Sequence, residues 1–454
     1  MEIFIMVTEF DLVIIGTGTG SSIAAEKCSS AGWKIAQIDS QPFGGTCALR
    51  GCDPKKVLVG TAEIMDWFSR MEGRGIEGDL SINWPDLMKF KRTFTKPMPE
   101  KREQRMKKNN ITPFHGRARF LDEQTLQVGN QTLKAKNFLL ANGAKPASLS
   151  IEGFQHLTNS TEFLELEELP ENIMFVGGGY ISFEFAHIAA RAGAKVTIIH
   201  RGKRPLVNFD PDLVDLLVEK TRKIGINILL DTEVKAVEKE EEMLSVKVSR
   251  YEKESILSGD LAVHGAGRTP DIDDLNVEKA NIATDKRGIL VNNYLQSVSN
   301  PKIYAAGDVV SSAGKPLTPV AGFESHIVAS NLLKGNHRKI NYPAQPSIVF
   351  SIPPLASVGL TEAEAKEKGI KADVNFGQTD SWYSSRRTNE TFTGYKTLID
   401  SASGKIIGAH FLGSHAPELV NLFTLAINHG IPPVDLKKTI FAYPTFASDL
   451  SFML

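Results

Sequence analysis

The sequence predicts an α/β chain of several domains, and three observations carry that prediction. Two stretches, "FDLVIIGTGTGSSIAAEKCSSAGWKIAQIDS" and "NIMFVGGGYISFEFAHIAARAGAKVTIIHRGKRPL", each place a short apolar run before a glycine-rich turn, then a helix-length segment and a second apolar run. From Tyr342 the composition changes to "YPAQPSIVFSIPPLASVGLTEAEA", proline-rich with alternating apolar residues, which marks a separate third domain. At 454 residues the chain is also too long for one hydrophobic core, and two to four domains are expected.

In the first stretch, residues 12–15 read as a buried strand that ends in Gly16-x-Gly18; a helix follows, and residues 34–38 form a second strand ending at Asp39. Glycines at this turn let backbone amides approach a pyrophosphate at the helix N-terminus, and an acid after the second strand accepts hydrogen bonds from ribose hydroxyls. The pattern is therefore a Rossmann-like dinucleotide-binding unit, with a plain strand-to-helix turn as the alternative. Ser21 takes the place of the third glycine and is expected to loosen the helix-sheet contact without abolishing the phosphate site. Cys28, in the middle of the helix, is expected to be core.

The second stretch repeats the arrangement with Gly177, Gly179 and Ser182, but the residues after its second strand are basic: His200, Arg201, Lys203 and Arg204. Cations there suit a 2'-phosphate, so NADPH is favoured over NADH, the alternative being a solvated basic turn. Between the two units the chain is charged and helix-patterned to about residue 110, then strand-like to about residue 146; a further apolar strand is expected in "KIYAAGDVV", residues 302–310.

Charge excludes whole classes of partner. Fifty-two Lys and Arg against 53 Asp and Glu leave a net charge of -1, so no global field holds nucleic acid or an acidic membrane face. The opening "MEIFIMV" is too short for a signal segment and no run of 18 apolar residues follows, so a soluble cytoplasmic protein is expected, with Met6 as an alternative start.

The three cysteines are few for an architectural framework, yet two of them, Cys47 and Cys52, stand five positions apart in "GGTCALRGCDPKK". A zinc site would want four ligands, and neither a second cysteine pair nor a histidine cluster lies nearby. Two inert thiols are the bland reading; a reversible disulfide is the one the residues favour. Five residues of regular helix advance about 7.5 Å, beyond the Cα separation of about 4.4 to 6.8 Å that a disulfide accepts, so the backbone is expected to break, with Gly51 supplying the distortion.

With these residues in view, the chain resembles the class I pyridine nucleotide-disulfide oxidoreductases, the family of glutathione reductase, dihydrolipoamide dehydrogenase, trypanothione reductase and mercuric reductase. The first βαβ unit, the Cys-x4-Cys, "GGGYISFEFA", "HGAGRTPD", "IYAAGDV", "LTPVA" and "FSIPPLASVGLTEAEA" occur in the family's order. The resemblance implies an FAD domain (residues 1–155 and 288–341) interrupted by an NAD(P) domain (156–287), then an α+β interface domain (342–454) that builds a homodimer. It implies that Gly16, Gly18 and Asp39 hold the ADP half of FAD and Asp308 its ribitol. Gly45 and Thr46, Gly267 and Arg268, and Gly307 lie in matching cofactor motifs, as do Gly177 and Gly179. Cys52 would be the thiol against the flavin and Cys47 the exposed thiol that attacks substrate. Lys55 would stand beside the flavin with Glu184 as its acidic partner, and Tyr180 would be the aromatic lid of the nicotinamide pocket. Electrons would run from NADPH through FAD to the disulfide and on to an acceptor, with Lys55, the helix N-terminus and Arg50 as candidates to favour a thiolate.

One segment departs from the family. Its disulfide-reducing members end in His-Pro-Thr-x-x-Glu, whose histidine crosses from the partner subunit to protonate the leaving thiol. Here "FAYPTFASDLSFML" puts Tyr443 at the histidine, Ser448 at the glutamate and Asp449 one residue late. Mercuric reductases carry a C-terminal cysteine pair, and this chain has no cysteine after Cys52. Glu26, on the first helix, would oppose an anionic glutathione carboxylate. The expectation is an NADPH-preferring flavoenzyme that reduces a small acceptor: a reactive halogen or thiocyanate-derived oxidant, a metal ion or a quinone. The alternatives are a low-molecular-weight disulfide reductase using Tyr443 as acid and a non-catalytic flavoprotein redox sensor.

Overall fold

The computed structural model of the protein describes residues 7–241 and 243–454, so the expectation about Met6 lies outside the described residues. The chain forms two compact units.

The first unit comprises residues up to Lys55, Phe90–Ala147 and Arg268–Tyr342. Its seven-stranded sheet is centred on β1 (Val7–Ile15), which pairs in parallel with β2 (Ile35–Asp39) on one side and with the strand Gln131–Leu140 on the other. Leu12, Val13 and Ile14 are fully buried, as an unbroken apolar run must be in a parallel strand covered on both faces. β2 starts one residue later than the sequence suggests, because the Lys34 amide donates instead to Asp11 Oδ2 at 2.8 Å. The helix α1 (Thr19–Ser30) and the helix Thr318–Lys334 pack on the sheet, and Cys28 is buried as expected, its thiol pushed up to about 12 by burial. "KIYAAGDVV" is two strands, Ile303–Ala305 and Val310–Ser311, because the Gly307 amide between them turns aside to Glu324 Oε2 at 2.6 Å.

The second unit comprises Lys56–Lys89, Ser148–Gly267 and Pro343–Leu454. It holds a four-stranded parallel sheet in the order Asn227–Leu229, Lys195–Ile199, Asn172–Val176, Leu261–His264, crossed by the helix Tyr180–Arg191. Its C-terminal part is a five-stranded antiparallel sheet carrying the helix Ala416–His429. Lys396 of that sheet is buried, 2.9 Å from the buried Asp210 that caps the helix Pro211–Lys223, with Asp212 also bonded to its ammonium. The units change at 55/56, 89/90, 147/148, 267/268 and 342/343; the strand Arg268–Pro270 pairs with Ala144–Pro146, which keeps residues after 267 with the first unit. Among the described residues no helix is long and apolar enough to cross a membrane.

Candidate active site

The turn after β1 is built around facing glycines. A Cβ at Gly45 would stand 2.5 Å from Gly18 Cα, so Gly45 tolerates no side chain, whereas a Cβ at Gly18 would make an ordinary 3.7 Å contact with Gly45 Cα. Gly18 is the N-cap of α1 with no side-chain cap, and the first turn carries no acid. Uncapped amides at a helix N-terminus are an anion site, and the residues present fit the pyrophosphate of a dinucleotide there. Asp39 accepts from the Thr17 amide (3.0 Å) and hydroxyl (2.6 Å) and so ties the end of β2 to the glycine turn. Ser21 does not loosen the contact as expected: it is fully buried, donates to Gly18 O at 2.8 Å and accepts from Gln37 at 3.0 Å. The close approach falls instead on Gly20, where a Cβ would meet Ala306 O at 3.0 Å.

The glycine of the Asp308 loop is held from behind. Glu324, 2% exposed, accepts from the Gly307 amide, from the Tyr342 hydroxyl at 2.5 Å and from Ser312 at 3.3 Å. Burial raises the Asp308 carboxyl above the usual range while the Arg268 charge opposes it, and Arg268 itself donates to Ala144 O. Thr46 is exposed on the first turn of α2.

Cys47 and Cys52 stand on two helices separated by one residue. α2 (Gly45–Arg50) ends at Gly51 and α3 (Cys52–Met71) begins immediately after it. A Cβ at Gly51 would lie 3.0 Å from Thr46 O, a tight contact that favours glycine where the chain changes direction, as the spacing argument expects. Both thiols are free and hydrogen-bonded to each other. The Cys47 thiol donates to Cys52, and this bond, with the Thr318 hydroxyl 3.6 Å from Cys52 and the Lys55 charge, lowers Cys52 from 9.0 to about 6 against its burial. Cys47 is pushed far above an ordinary thiol by that same bond, by burial and by the negative charges of Cys52 and Asp53. Cys52 also occupies the first turn of a 20-residue helix, where the dipole favours an anion.

Cys47 is half-buried inside α2 and Cys52 is exposed where α3 opens, on the side where the expected flavin would lie against it. Burial lowers the pKa of the Arg50 guanidinium and the Asp39 charge opposes that. Lys55 is buried one turn into α3.

In the second unit Gly179 is the N-cap of the helix Tyr180–Arg191, again with no side-chain cap and no acid in the first turn, which fits a second phosphate-bearing ligand. A Cβ at Gly177 would strike Gly265 O at 2.6 Å. His200 is not one of the cations: its Nδ1 accepts from the Gly178 amide at 3.1 Å, its Nε2 faces Arg204 O, and burial lowers its pKa. Arg204 is likewise committed, making two 2.9 Å bonds to Asp215. Arg201 and Lys203 are exposed and enter no ion pair among the described residues, so they are the cations open to a 2'-phosphate. Gly267 has a positive φ and open space around it. Tyr180, at the start of its helix, is 49% exposed and is not core. On the same helix Glu184 is buried and accepts from the Phe350 amide at 2.8 Å.

At the C-terminus Tyr443 is 78% exposed. Ser448 closes a capping box with Thr445, and Asp449 accepts from Ser384, so neither is paired with Tyr443. Glu26 forms a two-bond ion pair with Arg105 at 2.7 and 2.9 Å, which neutralises the acid expected to repel an anionic substrate. Sequence reasoning assigned no role to Thr318, Glu324 or Asp53, although Thr318 lies in the quoted "LTPVA" and Asp53 directly follows Cys52 in "GCDPKK".

The sequence model of pyridine nucleotide-disulphide oxidoreductases matches residues 10–331, and that of the family's dimerisation domain matches residues 345–452. The chain belongs to this family. It is a flavoprotein oxidoreductase of the NAD(P)H-dependent, FAD-dependent kind, with two nucleotide-binding domains and a dimerisation domain that supports a homodimer. Mercuric reductase from Staphylococcus aureus is 32% identical over 449 residues, 97% of this chain and 81% of that protein. Glutathione reductase from a Nostoc species is 31% identical, over 99% of this chain and 100% of that protein. Among solved structures, the Cu(II) complex of the HOCl-induced flavoprotein disulfide reductase RclA from Escherichia coli superposes with a TM-score of 0.88 at 28% identity, covering 98% of this chain and 99% of that one.

Proposed function

We propose that the protein uses NADPH to keep the Cys47–Cys52 pair reduced and spends that dithiol on a small oxidant of the type X–OH, where X departs as a stable anion. FAD, held by Gly16, Gly18, Asp39 and Asp308, would supply the hydride-accepting and electron-delivering chemistry. Arg201 and Lys203 favour the 2'-phosphate of NADPH. Cys52 is the thiolate of the pair at neutral pH, and Cys47 is the thiol that meets the acceptor.

The observation that carries the reading is at residues 443–449. Expelling a thiol of ordinary pKa calls for a positioned acid worth about 10² to 10⁴ in rate. Tyr443 is exposed, and the two polar side chains that could have assisted it, Ser448 and Asp449, already serve the local fold. A small oxidant X–OH also needs a proton for its departing hydroxide, but one of this size can take it from water or from a donor beside Cys47 and does not require an acid at position 443. The similarity to a protein described as HOCl-induced supports the same acceptor class, and the similarity to mercuric reductases keeps a soft metal ion in the comparison.

The test is NADPH consumption by the FAD-loaded protein with hypothiocyanous acid, mercuric ion, a quinone, glutathione disulfide and lipoamide in parallel, the Cys47→Ser variant correcting for direct oxidation of NADPH. Hypothiocyanous acid is expected to turn over at about 10 to 10³ per second, and the two disulfides at least about 10²-fold more slowly. Glutathione disulfide turnover at the faster rate overturns the proposal.

A further inference from the structure

We infer that Asp53 is the proton relay of the dithiol, taking the proton of Cys47 as its sulfur bonds to the oxidant and delivering it to the departing hydroxide. The inference rests on the X–OH reading of the acceptor. Its geometric basis is the Cys47 thiol, which donates to Asp53 Oδ1 at 3.9 Å as well as to Cys52. That distance is long even for sulfur, but Asp53 is exposed on the first turn of α3, and catalytic hydrogen bonds are often long until substrate is present. Pro54 follows Asp53 without disturbing the helix, since the first turn leaves its amides unpaired anyway.

Among the described residues Asp53 is the carboxylate that the Cys47 thiol is bonded to. The titratable groups around it are Cys47 on α2 and Cys52 and Lys55 on α3, while Thr318, from the helix Thr318–Lys334, contributes a neutral hydroxyl. Lys55 acts on Cys52. The Cys47 thiol is bonded to both Cys52 and Asp53, so for an electrophile whose leaving group needs no proton its proton can pass to the Cys52 thiolate, whereas Asp53 is the group placed to carry it on to a departing hydroxide.

The step balances. Cys47 sulfur forms a bond to X as the X–O bond breaks; the Cys47 proton passes through Asp53 to the hydroxide, which leaves as water. The Cys52 thiolate then attacks the Cys47 sulfur, closing the disulfide and expelling X⁻. The dithiol has lost two electrons and X–OH has gained them. In this scheme the carboxylate does for hydroxide what a histidine would do for a thiol, from within the same subunit.

Two electrophiles separate this role from a structural one. Iodoacetamide releases iodide, which needs no proton, whereas hypothiocyanous acid releases hydroxide, which does. In the FAD-loaded, NADPH-reduced protein, Asp53→Asn should leave Cys47 alkylation at pH 7 as fast as wild type or faster, because a charge opposing the thiolate is gone. The same variant should lower kcat/KM for hypothiocyanous acid by about 10²-fold, the lower range for a lost acid-base group, and Asp53→Glu should recover most of it. Mass spectrometry assigns the alkylated cysteine, and the flavin spectrum confirms that each variant is loaded. Both rates falling together, or hypothiocyanous acid turnover that ignores Asp53→Asn, overturns the relay. If wild type fails to reduce hypothiocyanous acid, the acceptor reading falls, and an Asp53→Asn profile of Cys47 alkylation against pH that matches wild type removes Asp53 from the site as well.

Discussion

Replacing Thr318 with valine keeps the shape of the side chain and removes one hydroxyl from the Cys52 sulfur, 3.6 Å away. The bond shares the work of holding Cys52 at about 6 with the Cys47 thiol and Lys55. A hydrogen bond to a charged group is worth about 1.5 to 3 kcal/mol, and the solvent-facing side of Cys52 puts this one at the low end, so the Thr318→Val pKa should rise by about one unit. At pH 7 the thiolate fraction then falls from about nine-tenths to about one-half. The sign follows from the charge form: the hydroxyl favours the anion, so its loss moves the titration to higher pH. The assay is a pH titration of the thiolate in the reduced protein, by its ultraviolet absorbance and by the long-wavelength band a thiolate gives beside oxidised flavin. A shift below about 0.3 unit, or a shift to lower pH, would show that Cys47 and Lys55 hold the anion without Thr318.

The basic turn after Lys195–Ile199 predicts a preference for NADPH over NADH of at least about tenfold in kcat/KM, or about 1.4 kcal/mol; Arg201→Glu should abolish it and Arg204→Gln should change it less, because Asp215 already engages Arg204. Tyr443→His should raise glutathione disulfide turnover or move its pH optimum toward neutrality; unchanged turnover and pH profile would count against a proton-transfer role for this position. Lys396→Met should lower stability to urea by about 3 to 5 kcal/mol, the cost of leaving a buried carboxylate without its cation, and adding Asp210→Asn should recover part of that loss.

What the sequence reveals about the site is what backbone geometry enforces locally. The two glycine turns, the acid ending β2 and the break at Gly51 each follow from a constraint within a few residues, and each is where the motif puts it. The missed residues act across the chain. Thr318 reaches Cys52 over 266 positions, and Glu324 gathers Gly307, Ser312 and Tyr342 only because the helix that bears it packs behind the Asp308 loop. Arg204 reads as a free cation until the following helix supplies Asp215. Ser21 reads as a weakened glycine until Gln37 and Gly18 give its hydroxyl two partners. Side-chain commitments of this kind have no periodicity, so composition and spacing leave them invisible.

The junction at Gly51 bears on how fast the pair can cycle. Because the six-residue α2 and the 20-residue α3 meet at one residue close to Thr46 O, the main chain holds the two cysteines on adjoining helices, and joining or parting the sulfurs is expected to need little more than side-chain rotation. The nuclear rearrangement that accompanies each two-electron exchange is then confined to a few atoms. Amide hydrogen exchange in α2 and α3 should accordingly be the same in the oxidised and reduced protein, and the site should work as a clasp whose jaws stay still while its pin slides.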